Sequence, residues 1–228
     1  MSSQKSEVRS AVILAGGENR RFPTIKSFIK VNDSSIIEKN IALLKEMFDE
    51  VFISTNMPEI YFYLGAPLIG DVLPSRGPMS GIYSSLINAR GDTVFVVACD
   101  MPFVKKEVIS FICKKHAESL NSKSIRGEFQ RGDTMSPLCP DATIPIYNKE
   151  PQPLFGVYCK TILPYLEDCV LNDKTSMKRL LSEINTNFIE ESDIMTIDPE
   201  GRSFVNINTM EDYEKIAHGS WLAHSRKL

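Results

Sequence analysis

The sequence predicts an α/β protein: a single domain on a mostly parallel, Rossmann-like sheet flanked by helices. Three observations predict it. Short apolar runs at residues 11–15, 51–54 and 93–98 alternate with stretches of helical periodicity. The first run leads into Gly16-Gly17, and the third ends at Cys99-Asp100-Met101-Pro102. The 228 residues show no internal repeat, heptad or linker, so one domain suffices.

The elements follow in order. Residues 1–9 are polar, lack the apolar centre of a signal peptide and read as a frayed tail. Residues 11–15 form the first strand. Ile36, Ile37, Ile41, Leu44 and Phe48 have helical spacing, which predicts a helix over 36–48. Residues 51–54 are a second strand and 67–69 a third. A helix over 78–89 has Pro78 in its first turn. Residues 93–98 are rich in β-branched side chains and read as a buried strand. A helix over 105–120 follows. Strands alternating with helices imply βαβ units with right-handed crossovers.

Residues 121–153 change character. They are rich in Ser, Gly, Asp and Pro, with β-like pieces at 125–129 and 143–147. This stretch reads as an irregular insertion beside the sheet. Helices are expected over 161–171 and 175–184, a return strand over 204–207, and a closing helix over 210–217. Thr209 suits the cap of that last helix, with Glu211 and Asp212 in its first turn.

Composition narrows the function. An apolar share of 43% with 24% charged residues is ordinary for a soluble globular protein. A net charge of −3 argues against a general nucleic-acid binder, and no apolar run reaches the length of a membrane helix. The five cysteines are spread out without a Cys-x-x-Cys pair, which points to reduced thiols in a cytoplasm. The three histidines, His116, His218 and His224, sit in polar contexts and read as solvated.

Four constellations carry chemistry. The glycine pair comes first: without a Cβ, the backbone can approach an anion closely. Arg20, Arg21, Lys26 and Lys30 follow, against the single acid Glu18. Local positive charge in an acidic chain suits a small polyanion. The stretch is neither a Walker loop nor a Gly-x-Gly-x-x-Gly fingerprint. The second is Asp100, ending the third apolar run where an open parallel sheet binds ligands. Its carboxylate suits Mg²⁺ or, alternatively, caps the next helix.

The third constellation is Ile69-Gly70-Asp71 with Gly77-Pro78-Met79-Ser80-Gly81. An aspartate can accept two hydrogen bonds from a guanine edge; the plainer alternative is a βα turn. The fourth is Phe204-Val205-Asn206-Ile207-Asn208-Thr209. Strand alternation would put Asn206 and Asn208 on one face, as ligand contacts or as a cap plus an edge amide.

These pieces, in this order, resemble the nucleotidyltransferase superfamily, and within it the molybdenum cofactor guanylyltransferases. The matching parts are Leu14-Ala15-Gly16-Gly17 with Arg21 and Lys26, then Asp71, 77–81, 99–102 and 204–209; 153–158 is similar as well. Cytidylyl relatives often have Leu-Ala-Ala-Gly, which Gly16 does not match. The chain departs from the family at Asn19 (usually Ser), Pro23 (Gly) and Ile25 (Asp). Ser54 stands where an Asn is usual, with Asn56 close by.

The resemblance implies transfer of GMP from GTP to the terminal phosphate of molybdopterin, with Mg²⁺ as cofactor. It implies phosphate contacts from the amides of Ala15, Gly16 and Gly17, and catalytic roles for Arg21, Lys26 and Asp100. Arg21 would hold the β,γ-phosphates, Lys26 the α-phosphate and Asp100 the metal. Leu14, Ser54, Asp71, Gly77, Pro78 and Gly81 would complete the nucleotide site, with Asp71 and the 77–81 turn reading guanine. Asn206 and Asn208 would face the pterin or the metal. The implied partners are the two substrates and proteins that handle molybdopterin, with no nucleic acid and no membrane. The residues themselves also admit another nucleotidyltransferase, a non-catalytic GTP or pterin binder, and a structural module.

Overall fold

The computed structural model describes residues 8–16, 26–31, 34–75, 77–124, 139–209, 211, 212 and 214, with the backbone alone at 26, 31 and 121–124. In chain order the elements are β1 (Ser10–Leu14), β2 (Lys30–Val31), β3 (Ser34–Ser35), α1 (Ile36–Lys45), β4 (Glu50–Ser54), α2 (Pro58–Tyr61), β5 (Leu68–Ile69), α3 (Pro78–Asn88) and β6 (Thr93–Ala98). There follow α4 (Lys106–Ser124), β7 (Ala142–Tyr147), β8 (Glu150–Pro151), β9 (Phe155–Cys159), α5 (Leu163–Leu171), α6 (Met177–Glu183), β10 (Thr186–Ile189) and α7 (Glu191–Met195).

The main sheet has the order β10-β7-β9-β6-β1-β4-β5, with β8 paired to β7. Along that path β9 alone runs against its neighbours. The sheet is therefore mostly parallel, as the alternation of strands and helices predicts. Its first four strands take the half-Rossmann order, β1 lying between β4 and β6.

Alternation along β1 explains the two cores. Ala11 and Ile13 pack with Ile37, Ile41 and Leu44 of α1 and with Val108, Ile109 and Ile112 of α4. Val12 points the other way, toward Ile82 and Leu86 of α3 and Leu166 of α5. The result is a helix–sheet–helix sandwich. Helix α1 starts sharply because Ser35 and Glu38 form a reciprocal capping box, the Ser35 N–H donating to Glu38 Oε2 at 2.9 Å.

Several expectations change. Residues 121–153 are not irregular throughout: α4 continues to Ser124, and β7 is a six-residue strand of the main sheet. The β-like piece read at 143–147 is this strand; Pro145 and the Ser/Gly/Asp/Pro composition around it hid its place in the main sheet. The β-like piece expected at 125–129 lies outside the described residues. Strands β9 and β10 escaped the sequence reading, because Gly156 interrupts the first and β10 is short and half-exposed. Residues 202–204 form a 3-10 turn in place of the expected return strand over 204–207. The tail is shorter than expected, since Val8 is buried and the Arg9 carbonyl accepts the amides of Asp49 and Glu50. His116 is fully buried, not solvated; His218 and His224 lie outside the described residues.

Gly156 is a packing glycine. A Cβ there would lie 2.6 Å from the Thr143 carbonyl oxygen and 2.7 Å from Ile144 Cδ1. The obstacle includes backbone, which cannot swing aside. Gly156→Ala is therefore expected to destabilise the fold by about 2 kcal/mol, roughly 4–8 °C in Tm. A melting curve superimposed on the parent would refute this spacing of β9 against β7.

Candidate active site

Crossovers on opposite faces open a crevice. The β1-to-β4 connection runs through α1 on one face, and the β5-to-β6 connection through α3 on the other. The carboxyl ends of β1 and β6 thus form a topological switch point, where ligands of open α/β sheets bind. Gly16 follows β1 there, and Asp100 follows β6.

The two strand ends are still joined as they reach the rim, the Cys99 amide donating to the Leu14 carbonyl at 3.1 Å. One residue later the chains part. The Ala15 amide turns to the Ser54 carbonyl at 2.8 Å, so it extends the β1–β4 ladder and is not the phosphate donor it was read as. Leu14 is a strand residue whose side chain lies under α3. Gly16 is exposed, and a Cβ there would meet nothing nearer than the Ser54 oxygen at 4.0 Å. The fold itself does not require glycine at this position, whereas a closely approaching anion would. Gly17 and Arg21 lie outside the described residues.

The Asp100 turn is held on three sides. The β1 bond is one. The Asp100 carbonyl accepts the Ile207 amide at 3.0 Å, and the Met101 carbonyl accepts Asn40 Nδ2 of α1 at 3.1 Å. Asp100 itself is half-buried at the rim. Lys26 opens a 3-10 turn, Lys26–Phe28. Next to it, Ser27 Oγ is 3.1 Å from the Tyr61 hydroxyl, and Phe28 stacks on Tyr61 at 5.4 Å. Burial raises the Tyr61 pKa to about 12, so its hydroxyl stays protonated. Ile29, just beyond, clusters with Ile36, Ile207 and Phe103. Ile207 thereby packs with Ile29 while its amide bonds the Asp100 turn.

Across the crevice, Asn56 organises the loop after β5. Its Nδ2 donates to Asp71 Oδ2 at 2.7 Å, and its Oδ1 accepts the Asp71 amide at 2.9 Å. Ser84 Oγ accepts the Val72 amide at 3.0 Å, and Ser80 Oγ donates to the Pro74 carbonyl at 2.8 Å. Gly77 caps α3 with φ +73°, a conformation that favours glycine, and Pro78 opens the helix. Ser54 and Gly81 behave differently from their reading as nucleotide contacts. Both are buried, and a Cβ on Gly81 would fall 2.7 Å from Ser54 Oγ. They let α3 sit close on the sheet. Asn56, which the sequence reading only noted as close by, is the exposed amide at that rim. Its signal was its place in the first loop residues after the strand.

Asn206 and Asn208 are not paired on a strand face. Residues 205–207 are extended and joined to the rim through Ile207 alone in the bonds described. Asn208 is exposed, and its amide, like that of Thr209, donates to Asp212 Oδ2 at the closing helix; Thr209 Oγ1 accepts the Asp212 amide at 3.2 Å, the cap expected from the sequence. Asn206 Oδ1 is buried and, among the described residues, has no hydrogen-bond partner. Such an atom calls for an explanation, and a ligand is one.

A hard cation suits the Asp100 carboxylate, an oxygen donor of the kind Mg²⁺ prefers. Among the described residues no group of three or more His, Cys, Asp or Glu could hold a metal. That suits an ion completed by phosphate oxygens and water rather than by a protein cage. Nor does any described helix have the length and apolarity to cross a membrane.

Fold and rim together define a nucleotide-handling α/β protein of the nucleotidyltransferase type. Residues 11–187 match the MobA-like NTP transferase domain, and the chain belongs to that family. A protein of Peptoclostridium acidaminophilum, named as a probable molybdenum cofactor guanylyltransferase, is 32% identical over 203 residues, covering 89% of this chain and 86% of its own. One of the same name from Methanosarcina mazei is 31% identical over 230 residues, covering 93% and 92%. The crystal structure of molybdopterin-guanine dinucleotide biosynthesis protein A from Archaeoglobus fulgidus superposes with a TM-score of 0.72 at 22% identity, covering 92% of this chain and 98% of its own.

Proposed function

We propose that this nucleotidyltransferase transfers GMP from GTP to the terminal phosphate of molybdopterin, releasing pyrophosphate and forming the guanine dinucleotide. The observation that carries the reading is the pinned Asp100 turn facing Gly16 across the β1–β6 switch point. The family and the names of its relatives support the same reaction.

An anionic oxygen of the acceptor phosphate forms a bond to the α-phosphorus, and the bond from that phosphorus to the β-phosphate oxygen breaks. No protein nucleophile is required, so the protein's part is placement and charge stabilisation. The amides of Gly16 and Gly17 would hold phosphate oxygens. Arg21 would take the charge of the departing pyrophosphate, and Lys26 the charge that builds on the α-phosphate. Asp100 would hold Mg²⁺, which would supply neutralisation of the phosphate oxygens. Asp71, fixed by Asn56, and the Gly77-Pro78 turn would read guanine. Asn206 and Asn208 would contact the acceptor. Five free thiols support work in a reducing cytoplasm, with proteins that handle molybdopterin as partners.

Incubation with each of the four nucleoside triphosphates, Mg²⁺ and molybdopterin tests this directly. Pyrophosphate is expected with GTP well above CTP, and Asp71→Ala is expected to narrow that ratio by about tenfold, the worth of one base-edge hydrogen bond to a charged group. Equal release from CTP in the parent would overturn the guanylyl assignment. An unchanged ratio in Asp71→Ala would move guanine reading to the backbone.

A further inference from the structure

The segment carrying Asn206 belongs to no strand, yet it holds a buried, unpartnered amide oxygen beside the Asp100 turn. A loose segment would rotate that oxygen into water. A compact cluster prevents it. The Asp198 side chain is 0% exposed, and its two oxygens are divided between two partners. Oδ1 accepts Lys105 Nζ at 2.5 Å, and Oδ2 accepts the Ser203 amide at 2.8 Å. Ser203 Oγ in turn accepts the Lys105 amide at 3.2 Å.

Lys105 lies on the chain leaving Asp100 toward α4. Ser203 lies on the chain entering Asn206. One carboxylate therefore joins the two strands of backbone that flank the rim. Burial by itself would raise the Asp198 pKa, but the bonds from Lys105 and Ser203 outweigh it and hold the carboxyl below its ordinary value. The neighbouring bend is equally fixed: Gly201 has φ +60°, and a Cβ there would strike the Tyr147 ring, which stacks on Phe204 at 4.9 Å.

We propose that Asp198 is a positioning residue for the transfer reaction: through Lys105 and Ser203 it sets the place of Asn206 beside Asp100, and so governs binding of the phosphate-bearing acceptor. The inference rests on the reading of Asn206 as an acceptor contact.

A double-mutant cycle between Asp198→Asn and Asn206→Ala tests it, with the KM of molybdopterin, the KM of GTP and kcat as readouts. Asp198→Asn keeps the shape and removes the charge. It is expected to raise the molybdopterin KM about tenfold and to leave the GTP KM within about twofold, because small misplacement of a contact is costly. In the Asn206→Ala background it should add less than about twofold, since its route is already cut. Equal rises in both KM values, or a full additional rise on top of Asn206→Ala, would overturn the inference, because a merely structural residue behaves that way. Should Asp198→Asn fail to fold, Ser203→Ala removes one hydroxyl of the cluster and carries the same expectation. Asn206→Ala with an unchanged molybdopterin KM sinks the reading of Asn206 and the inference with it; Asn206→Ala with a raised KM but additive behaviour sinks the inference alone.

Discussion

Asp100→Asn is expected to lower pyrophosphate release by about 10²–10³-fold, equivalent to about 3–4 kcal/mol of barrier. The turn should survive. Its anchors are backbone groups: the Asp100 carbonyl to Ile207, the Met101 carbonyl to Asn40, and the Cys99 amide to Leu14. Asparagine is isosteric and keeps an acceptor oxygen, so Tm should move by no more than about 2 °C. What it lacks is the charge that holds a divalent cation against phosphates. Raising Mg²⁺ should therefore recover part of the loss. Lys26→Ala should cut turnover comparably without that recovery, since the proposed role gives its charge to the α-phosphate and not to the metal. Ordinary turnover in both variants would remove Asp100 and Lys26 from the chemistry.

The second large effect concerns acid stability. His116 of α4 is fully buried; its Nδ1 is 2.9 Å from Thr143 Oγ1 and its Nε2 is 3.8 Å from Cys159 Sγ. The Cys159 thiol donates to the Pro140 carbonyl at 3.2 Å, and burial pushes its pKa up to about 12, so it offers no anion to the ring. Burial lowers the His116 pKa from 6.5 to about 4. The unfolded chain then binds the proton more readily than the folded one between those two values. Stability is complete above about pH 6.5 and declines as pH falls, until the folded state also takes up the proton near pH 4. The decline amounts to about 3 kcal/mol.

Replacing both partners, His116→Leu with Thr143→Val, removes the titrating group without stranding a hydroxyl. Denaturant unfolding at a series of pH values should show a limb flatter by about 3 kcal/mol between pH 6.5 and 4. An unchanged slope would mean that His116 does not set the acid limit.

His116 also shows why sequence reading has bounds. It sits among Lys114, Lys115 and Glu118, so its local context is polar and reads as surface. Only the turn of α4 against β7 and β9 decides that it faces inward. The early strands were legible because their apolar runs are continuous and their helices carry clean 3.6-residue periodicity. Strand β7 was legible only as a β-like piece at 143–147, because a proline and a polar approach broke its signal. Strand β9 is held by neighbours on both sides, one of which, β6, lies some sixty residues earlier in the chain.

The candidate site divides in the same manner. Gly16 and Asp100 were visible because both stand at the ends of strong strands, where chain direction alone assigns the sheet edge. Ser54 and Gly81 were read as contacts because their motif positions matched, yet a Cβ on Gly81 would fall 2.7 Å from Ser54 Oγ, so the glycine there serves packing. Asn206 was singled out for a strand that does not form. Asp198, Lys105 and Ser203 gave no periodic or motif signal at all.

The amino-acid sequence set the strand–helix alternation, the half-Rossmann beginning, and the two strand ends that meet at the β1–β6 switch point. Those are local matters of apolar period, β-branching and glycine placement. Tertiary structure alone decided which polar residues face inward, which amides are already bonded, and how the late segment is fastened to the rim. Those depend on partners remote in the chain, |i−j| = 27 for His116 and Thr143 and 93 for Asp198 and Lys105, and no local pattern encodes the meeting of two such groups.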